Sequence, residues 1–382
     1  MPMYEGFGYG GEKEAIVLDI GAAYTKIGFA NDCSPRSIVP TEIYDKQTKT
    51  KLRIFDIKNN ETLKASLLVF LKKIYLRHLQ VNAKDRRAVI VENIIGPIDF
   101  RKLIADVLFK HFEVPSLLFA PSHLISLMPL GISTGLVLDC GYKETIVIPV
   151  CDNTPVLKAW QALPVGGKAI HNRIREMIKE FAIVREGNNE MPASNLPSDV
   201  LTEEILEDIK VRCCFITRLD RVNDPDIEHP SETIYPLQGS RILVIPGKIR
   251  EMACEVLFQL DGEEKNIASL LLEALTLSSI DNRRNLMENI VLVGGTCQLT
   301  GFRQRLMAEL KNLASTNNKY TDSIHLSSFK FHTAPIYENC TAWLGGAMFA
   351  GLQVLPNRST AREKYLENEV LMDWSDPKTY EN

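Results

Sequence analysis

A repeated motif places the strongest constraint on the fold of this 382-residue chain. The stretch VLDIGAAYTKIGFA, which begins at Val17, is echoed by VLDCGYKETIVIPV, which begins at Val137. Each copy is typical of a strand, an Asp-x-Gly sequence, a tight turn and a second strand. Two such copies, separated by about a third of the chain, predict two related α/β halves that face each other across a cleft.

The composition argues against several classes of protein. The formal net charge of −4 gives no general attraction to nucleic acid or to acidic membranes, so neither partner is expected. The eight cysteines show no C-x-x-C spacing, which favours reduced thiols over a disulfide framework or a zinc site. No apolar run approaches the length of a membrane span, and residues 1–14 lack the pattern of a secretory signal. We therefore expect a soluble, cytoplasmic protein with a large core.

The periodicity of the apolar residues predicts an alternating α/β order. Strands are predicted at 15–19, 88–91, 135–139, 145–150 and 290–293, and helices at 61–79, 100–112, 201–213 and from Gly301 onward. Segments rich in Pro, Asn, Ser or charged residues predict loops or loose ends at 187–199, at 223–232 and after Pro356.

Phosphate binding is the chemistry to which these glycine turns are best suited. Backbone N–H groups at each turn can face phosphate oxygens, because a glycine has no Cβ in the way. The aspartate at the end of each strand, Asp19 or Asp139, can hold water around a Mg²⁺ ion. A third turn, VLVGGT at 291–296, joins a strand to a helix and suits a nucleoside or a phosphate. One such turn alone more often only closes a hairpin, but three in this order favour a nucleotide site.

Four longer stretches resemble signatures of the actin family: DIGAAYTKIGFANDCSPR and TGLVLDCG for two phosphate loops, ENIVLVGGTCQLTGF for the adenosine loop, and TAWLGGAMFAGL near the end. The resemblance runs over nearly the whole chain. It implies the actin-like fold, with two similar α/β domains around a nucleotide cleft that holds ATP or ADP with Mg²⁺. The first domain would comprise residues 1–149 and 335–382, and the second would comprise residues 150–334.

The resemblance also assigns site residues one by one. The implied nucleotide-binding residues are Asp19, Gly21, Ala22 and Lys26 of the first loop, Asp139 and Gly141 of the second, and Gly167, Lys210, Gly294, Gly295 and Thr296 around the ribose and adenine. The implied metal ligands are Asp19 and Asp139, each of which would act on Mg²⁺ through water.

Some residues of these loops depart from the family pattern. Ala22 and Ala23 replace a serine and a glycine of the first loop. Tyr142 and Lys143 replace an acidic residue and a glycine of the second, and Asn339 replaces a lysine near the adenine. The Lys143 ammonium could add charge near a phosphate, although a solvated or salt-bridged lysine is at least as common. Nucleotide binding remains the expectation.

Two further departures bear on hydrolysis. Ser122 and Ile146 stand where the family has a glutamine and a histidine that position the attacking water. Hydrolysis of ATP needs a placed water, and the loss of one positioning group commonly costs ~10²–10⁴ in rate. His123, beside Ser122, is more readily interpreted as a packed or helix-capping residue than as a replacement. We therefore expect no catalytic residue and little or no ATP hydrolysis.

Two regions argue against an ordinary polymerising actin. Between about residues 37 and 90 the chain is shorter than the family, which removes the subdomain-2 loop that inserts into the next subunit. At 261–265, charged residues stand where family members carry an apolar plug, and charged groups oppose burial between strands of a filament. Both changes together predict a subunit that joins an assembly by one face and offers a poor platform on the other.

Finer matches, among them YLRHLQVNAKDRRAVIVEN and LFAPSHLISL, resemble the actin-related proteins of the dynactin pointed end. This resemblance implies a cap on the pointed end of the short centractin filament, in contact with the other pointed-end subunits. Such a subunit would belong to the cytoplasmic cytoskeleton and support dynein-driven transport along microtubules. The alternatives are an actin-like subunit of a chromatin-remodelling complex, and an enzyme of the same superfold such as a weak actin-type ATPase or a sugar-kinase relative.

Overall fold

The computed structural model describes residues 13–45, 49–197, 199–222, 224, 226, 228–321, 324 and 329–372. The described residues of Met1–Pro129 and Cys340–Asn382 form one compact unit, called unit 1, and those of Leu130–Asn339 form unit 2. The structure therefore divides the chain at other points than the boundaries at 149/150 and 334/335 expected from the sequence. Residues 135–149 lie in unit 2 because their strands pair with each other and with the strand at Ile290–Val293.

The strands and helices confirm the alternating order that the sequence predicts. The strands are β1 (Ile16–Ile20), β2 (Tyr24–Phe29), β3 (Ser37–Pro40), β4 (Glu42–Asp45), β5 (Thr50–Arg53), β6 (Ala88–Glu92), β7 (Ser116–Pro121), β8 (Gly135–Cys140), β9 (Thr145–Cys151), β10 (Thr154–Pro155), β11 (Gln161–Leu163), β12 (Ile183–Glu186), β13 (Asn189–Pro192), β14 (Thr233–Pro236), β15 (Arg241–Ile245), β16 (Ile290–Val293) and β17 (Thr360–Ala361). The helices are α1 (Asn60–Lys73), α2 (Ile98–Asp106), α3 (Ser122–Ile125), α4 (Gly167–Phe181), α5 (Glu203–Cys213), α6 (Leu219–Val222), α7 (Gly247–Met252), α8 (Ile267–Leu277), α9 (Ile280–Glu288), α10 (Phe302–Thr316), α11 (Asn318–Thr321), α12 (Thr341–Ala350), α13 (Leu355–Arg358) and α14 (Arg362–Asn368). Shorter 3₁₀ turns lie at Ile54–Asp56, Ala83–Asp85, Met128–Leu130, Leu157–Ala159, Ala193–Asn195, Ala253–Leu257 and Gly295–Gln298.

A six-stranded sheet in the order β17-β7-β6-β1-β2-β3 forms the centre of unit 1. Strand β1 is parallel to β6, and β6 is parallel to β7, whereas β2 is antiparallel to β1. Almost every residue of these parallel strands is buried, as expected for strands covered on both faces. Helix α12 packs on β1, where Trp343 is fully buried and its Nε1 donates a hydrogen bond to the carbonyl oxygen of Val17 at 3.1 Å.

Helix α1 confirms the amphipathic helix predicted at 61–79. The Asn59 side chain caps its start by accepting a hydrogen bond from the N–H of Thr62 at 3.0 Å. After Lys73 the helix continues as a π-helical segment, Ile74–Leu79. It ends at Gln80, whose φ of 54° is left-handed and incompatible with a further helical turn. A second π-helical segment, Val107–His111, extends α2 in the same way.

Unit 2 contains two larger sheets and a helical core. One sheet has the order β10-β9-β8-β16, with β11 also paired to β9, and the other is antiparallel in the order β13-β12-β15-β14. The first sheet combines the β8–β9 hairpin with a parallel pairing of β8 and β16. Leu138 of this sheet shares a fully buried core with Ile174 of α4, Leu271 of α8 and Leu306 of α10.

Two of the three loop predictions are wrong in part. The segment 187–199 contains β13 and a 3₁₀ turn, and the tail after Pro356 contains β17 and α14. Tyr365 of α14 is 2% exposed, stacks on Phe109 with ring centroids 4.8 Å apart, and donates a hydrogen bond to Asp106 Oδ1 at 3.0 Å. One aromatic anchor in a short polar segment gives no periodic signal, which is why the sequence did not show it. In the third predicted loop, residues 223, 225 and 227 lie outside the described residues.

Within the described ranges, no helix combines the length and the apolar character that crossing a bilayer requires.

Close packing of α12 makes Gly345 sensitive to substitution. A Cβ atom there would overlap the backbone carbonyl group of Ile125, whereas one at Gly262 would meet nothing within 4 Å. We expect Gly345→Ala to lower the free energy of unfolding by about 2–3 kcal/mol, and Gly262→Ala to change it by about 0.5 kcal/mol or less. Urea unfolding followed by circular dichroism measures both changes. Equal stability of the two variants would contradict the packing described for α12.

Candidate functional site

The first phosphate turn lies in unit 1, between β1 and β2. In this hairpin Asp19 is paired with Lys26, and Lys26 Nζ donates a hydrogen bond to Asp19 Oδ2 at 2.8 Å. Because only 14% and 15% of the two side chains are exposed, the ion pair is largely shielded from water. A Cβ atom at Gly21 would lie 2.8 Å from the carbonyl oxygen of Tyr24, so the turn needs a glycine there.

Thr41 holds this turn in place by hydrogen bonds, a role that the sequence did not indicate. Its Oγ1 donates a hydrogen bond to the carbonyl oxygen of Gly21 at 2.7 Å, and its N–H donates to the carbonyl oxygen of Ala23 at 2.9 Å. The hydroxyl groups of Thr41 and Thr25 are 2.8 Å apart and buried. Ala22, which the resemblance places in the nucleotide site, lies within the turn so fastened and is partly exposed.

The second turn lies in unit 2 and repeats the first in register. In the β8–β9 hairpin Asp139 is paired with Ile146, in the position that Lys26 takes in unit 1. The N–H of Gly141 donates a hydrogen bond to the carbonyl oxygen of Glu144 at 3.0 Å, which closes the turn as in the first copy. The internal repeat is therefore confirmed at the level of strand pairing. The two copies differ in charge, because Ile146 is uncharged where the first copy has the positive Lys26.

Three separate segments of unit 2 meet at the carbonyl oxygen of Gly141. This atom accepts hydrogen bonds from the N–H of Gly167 at 3.0 Å and from Oγ1 of Thr296 at 2.8 Å. A Cβ atom at Gly167 would lie 3.5 Å from Lys210 Nζ and 3.5 Å from Thr296 Oγ1. The structure thus brings together four residues predicted to bind the nucleotide, around a position that a glycine leaves open.

Gly294 and Gly295 follow β16 beside the same turn. Strand β16 is parallel to β8, and its last residue, Val293, is paired with Asp139. Gly294 has a left-handed φ of 95°, and a Cβ atom there would lie 2.6 Å from Asp139 Oδ1. A Cβ atom at Gly295 would lie 3.9 Å from the Cβ atom of Asn339, the residue that replaces a family lysine near the adenine.

Lys210 is held by an ion pair inside unit 2. Its Nζ donates a hydrogen bond to Glu207 Oε2 at 2.7 Å, and only 8% of the lysine side chain is exposed. Desolvation alone would raise the pKa of the Glu207 carboxyl, but hydrogen bonds from His171 and Lys210 outweigh it and lower the pKa to about 2. The hydrogen bond with His171 also holds the pKa of the Glu203 carboxyl well below its usual range. The sequence did not single out His171, Glu203 or Glu207.

The residues at the two water-positioning sites are buried. Ser122 is 7% exposed and Ile146 is 4% exposed. Ser122 Oγ lies 3.2 Å from His123 Nδ1, and His123 is itself 2% exposed, which confirms its interpretation as a packed residue. At these two positions, where the resemblance implies an amide and an imidazole that orient water, the chain has a serine hydroxyl and an isoleucine side chain.

Each unit taken by itself fits a phosphate group. Each holds a lysine ammonium beside a glycine: a Cβ atom at Gly21 would lie 3.9 Å from Lys26 Nζ, and one at Gly167 would lie 3.5 Å from Lys210 Nζ. Lys26 is paired with Asp19 and Lys210 with Glu207. The lysines carry this fit, because the N–H groups of Gly21, Gly141 and Gly167 already donate to backbone carbonyl oxygens. Among the described residues, no group of three or more His, Cys, Asp or Glu side chains could hold a metal ion. Contacts with Mg²⁺ through water, of the kind predicted for Asp19 and for Asp139, need no such group, because Mg²⁺ usually keeps several waters. The nucleotide and metal contacts stay predictions.

Comparison with known proteins identifies the family. A family model described as Actin matches residues 57–372. The chain belongs to the actin family. It is 30% identical to Actin-related protein 10 of Dictyostelium discoideum, over 93% of this chain and 86% of the relative. It is 24% identical to Putative actin-29 of the same organism, over 93% of this chain and 95% of the relative.

A third relative is Centractin of Schizosaccharomyces pombe, which is 24% identical over 94% of this chain and 96% of the relative. The actin-like fold predicted from the sequence is confirmed by the family match together with the mixed α/β architecture. Actin-like folds generally bind a nucleotide with a divalent metal ion, so the glycine turns described above stand in a family context that fits them.

The charge balance around Lys210 can be tested with Glu207→Gln. The Glu207 carboxyl has a pKa of about 2 in the folded chain, below its ordinary value of 4.5. Its charge therefore stabilises the folded state in full above about pH 4.5, and this contribution is lost as the pH falls toward 2. We expect Glu207→Gln to melt below the wild type at pH 7, by a margin that narrows below pH 4.5 in differential scanning fluorimetry.

The matched control is Glu176→Gln, which removes an α4 glutamate whose side chain is 68% exposed. Exposed ion pairs contribute little, so this variant should melt like the wild type throughout. A melting gap for Glu207→Gln that is constant or widens on acidification would show that the loss does not arise from the carboxylate charge.

Proposed function

We propose that this chain is a non-polymerising structural subunit that caps the pointed end of the short centractin filament in dynactin. There it would contact the other pointed-end subunits and support dynein-driven transport along microtubules in the cytoplasm. Membership of the actin family and 30% identity to a protein named Actin-related protein 10 support the proposal. A surface that should block filament growth and the turns predicted to bind a nucleotide also support the proposal.

The observation that carries the proposal is the acidic turn, residues 261–265 of unit 2. Asp261 Oδ1 accepts hydrogen bonds from the N–H groups of Glu263 and Lys265, both at 2.8 Å. The N–H of Asp261 donates to the carbonyl oxygen of Lys265 at 2.9 Å, and Lys265 Nζ donates to Glu263 Oε2 at 2.8 Å. The turn is thus closed on itself where other family members carry an apolar plug.

The residues next to the acidic turn hold it in place. Asn266 caps α8 by accepting a hydrogen bond from the N–H of Ser269 at 2.9 Å, and its Nδ2 donates to the carbonyl oxygen of Phe258 at 2.9 Å. Asn266 is 4% exposed, whereas the Glu263 side chain is 75% exposed. Burial of this glutamate between subunits would remove its hydration, which is costly unless a partner charge is supplied. The turn is therefore a poor surface for a further filament subunit.

The shortened region of unit 1 supports the same conclusion. The chain forms β3, then pairs β4 with β5, and only the 3₁₀ turn Ile54–Asp56 and three more residues separate β5 from α1. What the region lacks by comparison with the family is the loop that inserts into the next subunit. An ordinary protein interface buries ~1,600 Å², so the loss of an inserted loop removes a substantial part of the contact.

A bound nucleotide has a structural part in this proposal. The residues predicted to bind ATP or ADP are Gly21, Ala22 and Lys26 in unit 1, and Gly141, Gly167, Lys210, Gly294, Gly295 and Thr296 in unit 2. Asp19 and Asp139 are the predicted ligands of the hydrated Mg²⁺, each through water. When bound, the nucleotide would supply negative charge that the lysine ammonium groups offset, and a ligand that binds the folded state stabilises that state. Since Ser122 and Ile146 offer no group of the kind that orients water in the family, the chain should keep the nucleotide intact.

Purified protein should therefore contain adenine nucleotide and turn it over slowly. In a single-turnover experiment with labelled ATP, we expect phosphate release ~10² or more slower than from a filament-forming actin. Ser122→Gln combined with Ile146→His should raise the rate by more than the two single changes together, because groups acting on one water are not additive. Chromatography of the denatured protein checks the nucleotide content. Release at the rate of filamentous actin would restore the ATPase alternative.

The protein should bind centractin filaments at one end only and stop growth there. Mixing labelled protein with centractin and imaging the products measures both effects. Glu263→Leu, which removes an exposed charge of the acidic turn, should weaken the block, whereas Glu176→Leu, which removes an exposed charge of α4, should leave it unchanged. Incorporation at random positions along the filament would defeat the capping proposal, and purification with chromatin-remodelling subunits instead would favour that alternative.

A further inference from the structure

Tyr142 lies within the second phosphate turn and connects it to two helices. Its hydroxyl donates a hydrogen bond to Glu203 Oε2 at 2.6 Å, and Glu203 is the first residue of α5. Its carbonyl oxygen accepts a hydrogen bond from the N–H of Lys168 in α4 at 2.7 Å. Its ring meets the His171 ring edge-on, with centroids 5.5 Å apart. The residue that replaces a family carboxylate thus joins the turn to both α4 and α5.

A continuous series of hydrogen bonds leads from this tyrosine to Lys210. His171 lies between two carboxylates, with Nδ1 2.9 Å from Glu203 Oε2 and Nε2 2.9 Å from Glu207 Oε2. Glu207 Oε2 in turn accepts a hydrogen bond from Lys210 Nζ at 2.7 Å. We call these five residues, Tyr142, His171, Glu203, Glu207 and Lys210, the Tyr142 network.

Hydrogen bonds and partial burial restrain the Tyr142 network. His171 is 1% exposed and Lys210 is 6% exposed, whereas the side chains of Glu203 and Glu207 are 34% and 25% exposed, so the histidine and the lysine are the members best shielded from water. Each ring nitrogen of His171 lies 2.9 Å from a carboxylate oxygen, and Arg175 donates to the second oxygen of Glu203 at 2.6 Å. If one member moved, a partly buried carboxylate would lose a hydrogen-bond partner, which is costly. The members therefore hold one another in position.

Both ends of the network meet at Gly167, one of the residues predicted to bind the nucleotide. A Cβ atom there would lie 3.2 Å from Tyr142 Cδ2 and 3.5 Å from Lys210 Nζ. Unit 2 contains a second hydrogen bond from a tyrosine hydroxyl to a carboxylate of α5, because Tyr235 donates to Asp208 Oδ2 at 2.9 Å. The described contacts of that pair lead to Arg212 at the surface rather than to Lys210. The Tyr142 network is thus distinguished by where it ends.

We propose that Tyr142 is a positioning residue, which holds the Lys210 ammonium beside Gly167 through the network and so slows the release of a bound adenine nucleotide. This inference rests on the nucleotide binding proposed above. It explains the departure from the family at Tyr142. The tyrosine replaces a carboxylate of the turn, and its hydroxyl connects the turn to Lys210 through the other members of the network. It assigns no catalytic role.

The test compares Tyr142→Phe with Tyr235→Phe in the full-length chain. Each change removes one hydroxyl group bonded to a carboxylate of α5 and keeps the aromatic ring. The protein is loaded with fluorescent etheno-ATP and Mg²⁺, chased with excess ATP, and followed by stopped-flow fluorescence. We expect the dissociation rate to rise about tenfold in Tyr142→Phe, as the loss of one charge-assisted bond allows, and to stay unchanged in Tyr235→Phe. The melting temperatures of the nucleotide-free proteins report on purely structural losses, which should be similar.

A double-mutant cycle shows whether Tyr142 acts through Lys210. In the Lys210→Met background, Tyr142→Phe should speed dissociation by less than about twofold, because the ammonium that it positions is gone. Independent, multiplicative effects of the two substitutions would overturn the inference.

The remaining outcomes separate this inference from nucleotide binding itself. If the wild type holds etheno-ATP but Tyr142→Phe releases it no faster than Tyr235→Phe, then only the role of Tyr142 is wrong. If the folded wild type holds no etheno-ATP and contains no nucleotide as purified, both nucleotide binding and the role of Tyr142 are wrong.

Discussion

In each unit a central strand pairs in parallel on one side and antiparallel on the other, and this pairing places an aspartate one residue before the end of the strand. Asp19 is paired with Lys26 on the antiparallel side of β1 and with Val91 on the parallel side. Asp139 is paired in the same way with Ile146 and Val293. Because parallel strands end at the same edge of a sheet, the turn that follows each central strand opens at that edge. In unit 2 this brings the turn after β16 against Asp139, and the other contacts of the second turn follow from that placement.

The sequence predicts this layout well because its signals are local. The two Asp-x-Gly repeats, the buried strand runs and the helix at 61–79 each need only neighbouring residues to be recognised. Contacts between distant residues leave no such signal. The hydrogen bonds of Thr41 to Gly21 and of Tyr142 to Glu203 join separate segments, so the sequence could show neither. The family resemblance located Lys210, but only the structure shows which carboxylate holds it.

The two phosphate turns have the same backbone and different charge. The first carries its lysine on the hairpin itself, where Lys26 faces Asp19 across the strands. The second has Ile146 in that position and obtains a lysine from a helix instead, because Lys210 of α5 reaches the Gly167 region. A lysine on another element needs something to fix its position, and the bonds of Glu207 and His171 supply that. The second turn therefore depends on tertiary contacts for its lysine, which the first carries on its own hairpin.

The departures of this chain from its family share one physical consequence. Asp261 bonds to the amides of its own turn, and Tyr142 bonds to Glu203 within its own unit. A polar group that is satisfied inside the chain must break its bonds before it can serve a new partner, at a cost of about 1–3 kcal/mol for each group left unpaired. On the proposed function, the chain then needs no active mechanism to stop filament growth or to avoid hydrolysis. The groups that a next subunit or an attacking water would require are replaced or already engaged, so a single reversed substitution should restore either activity only in part.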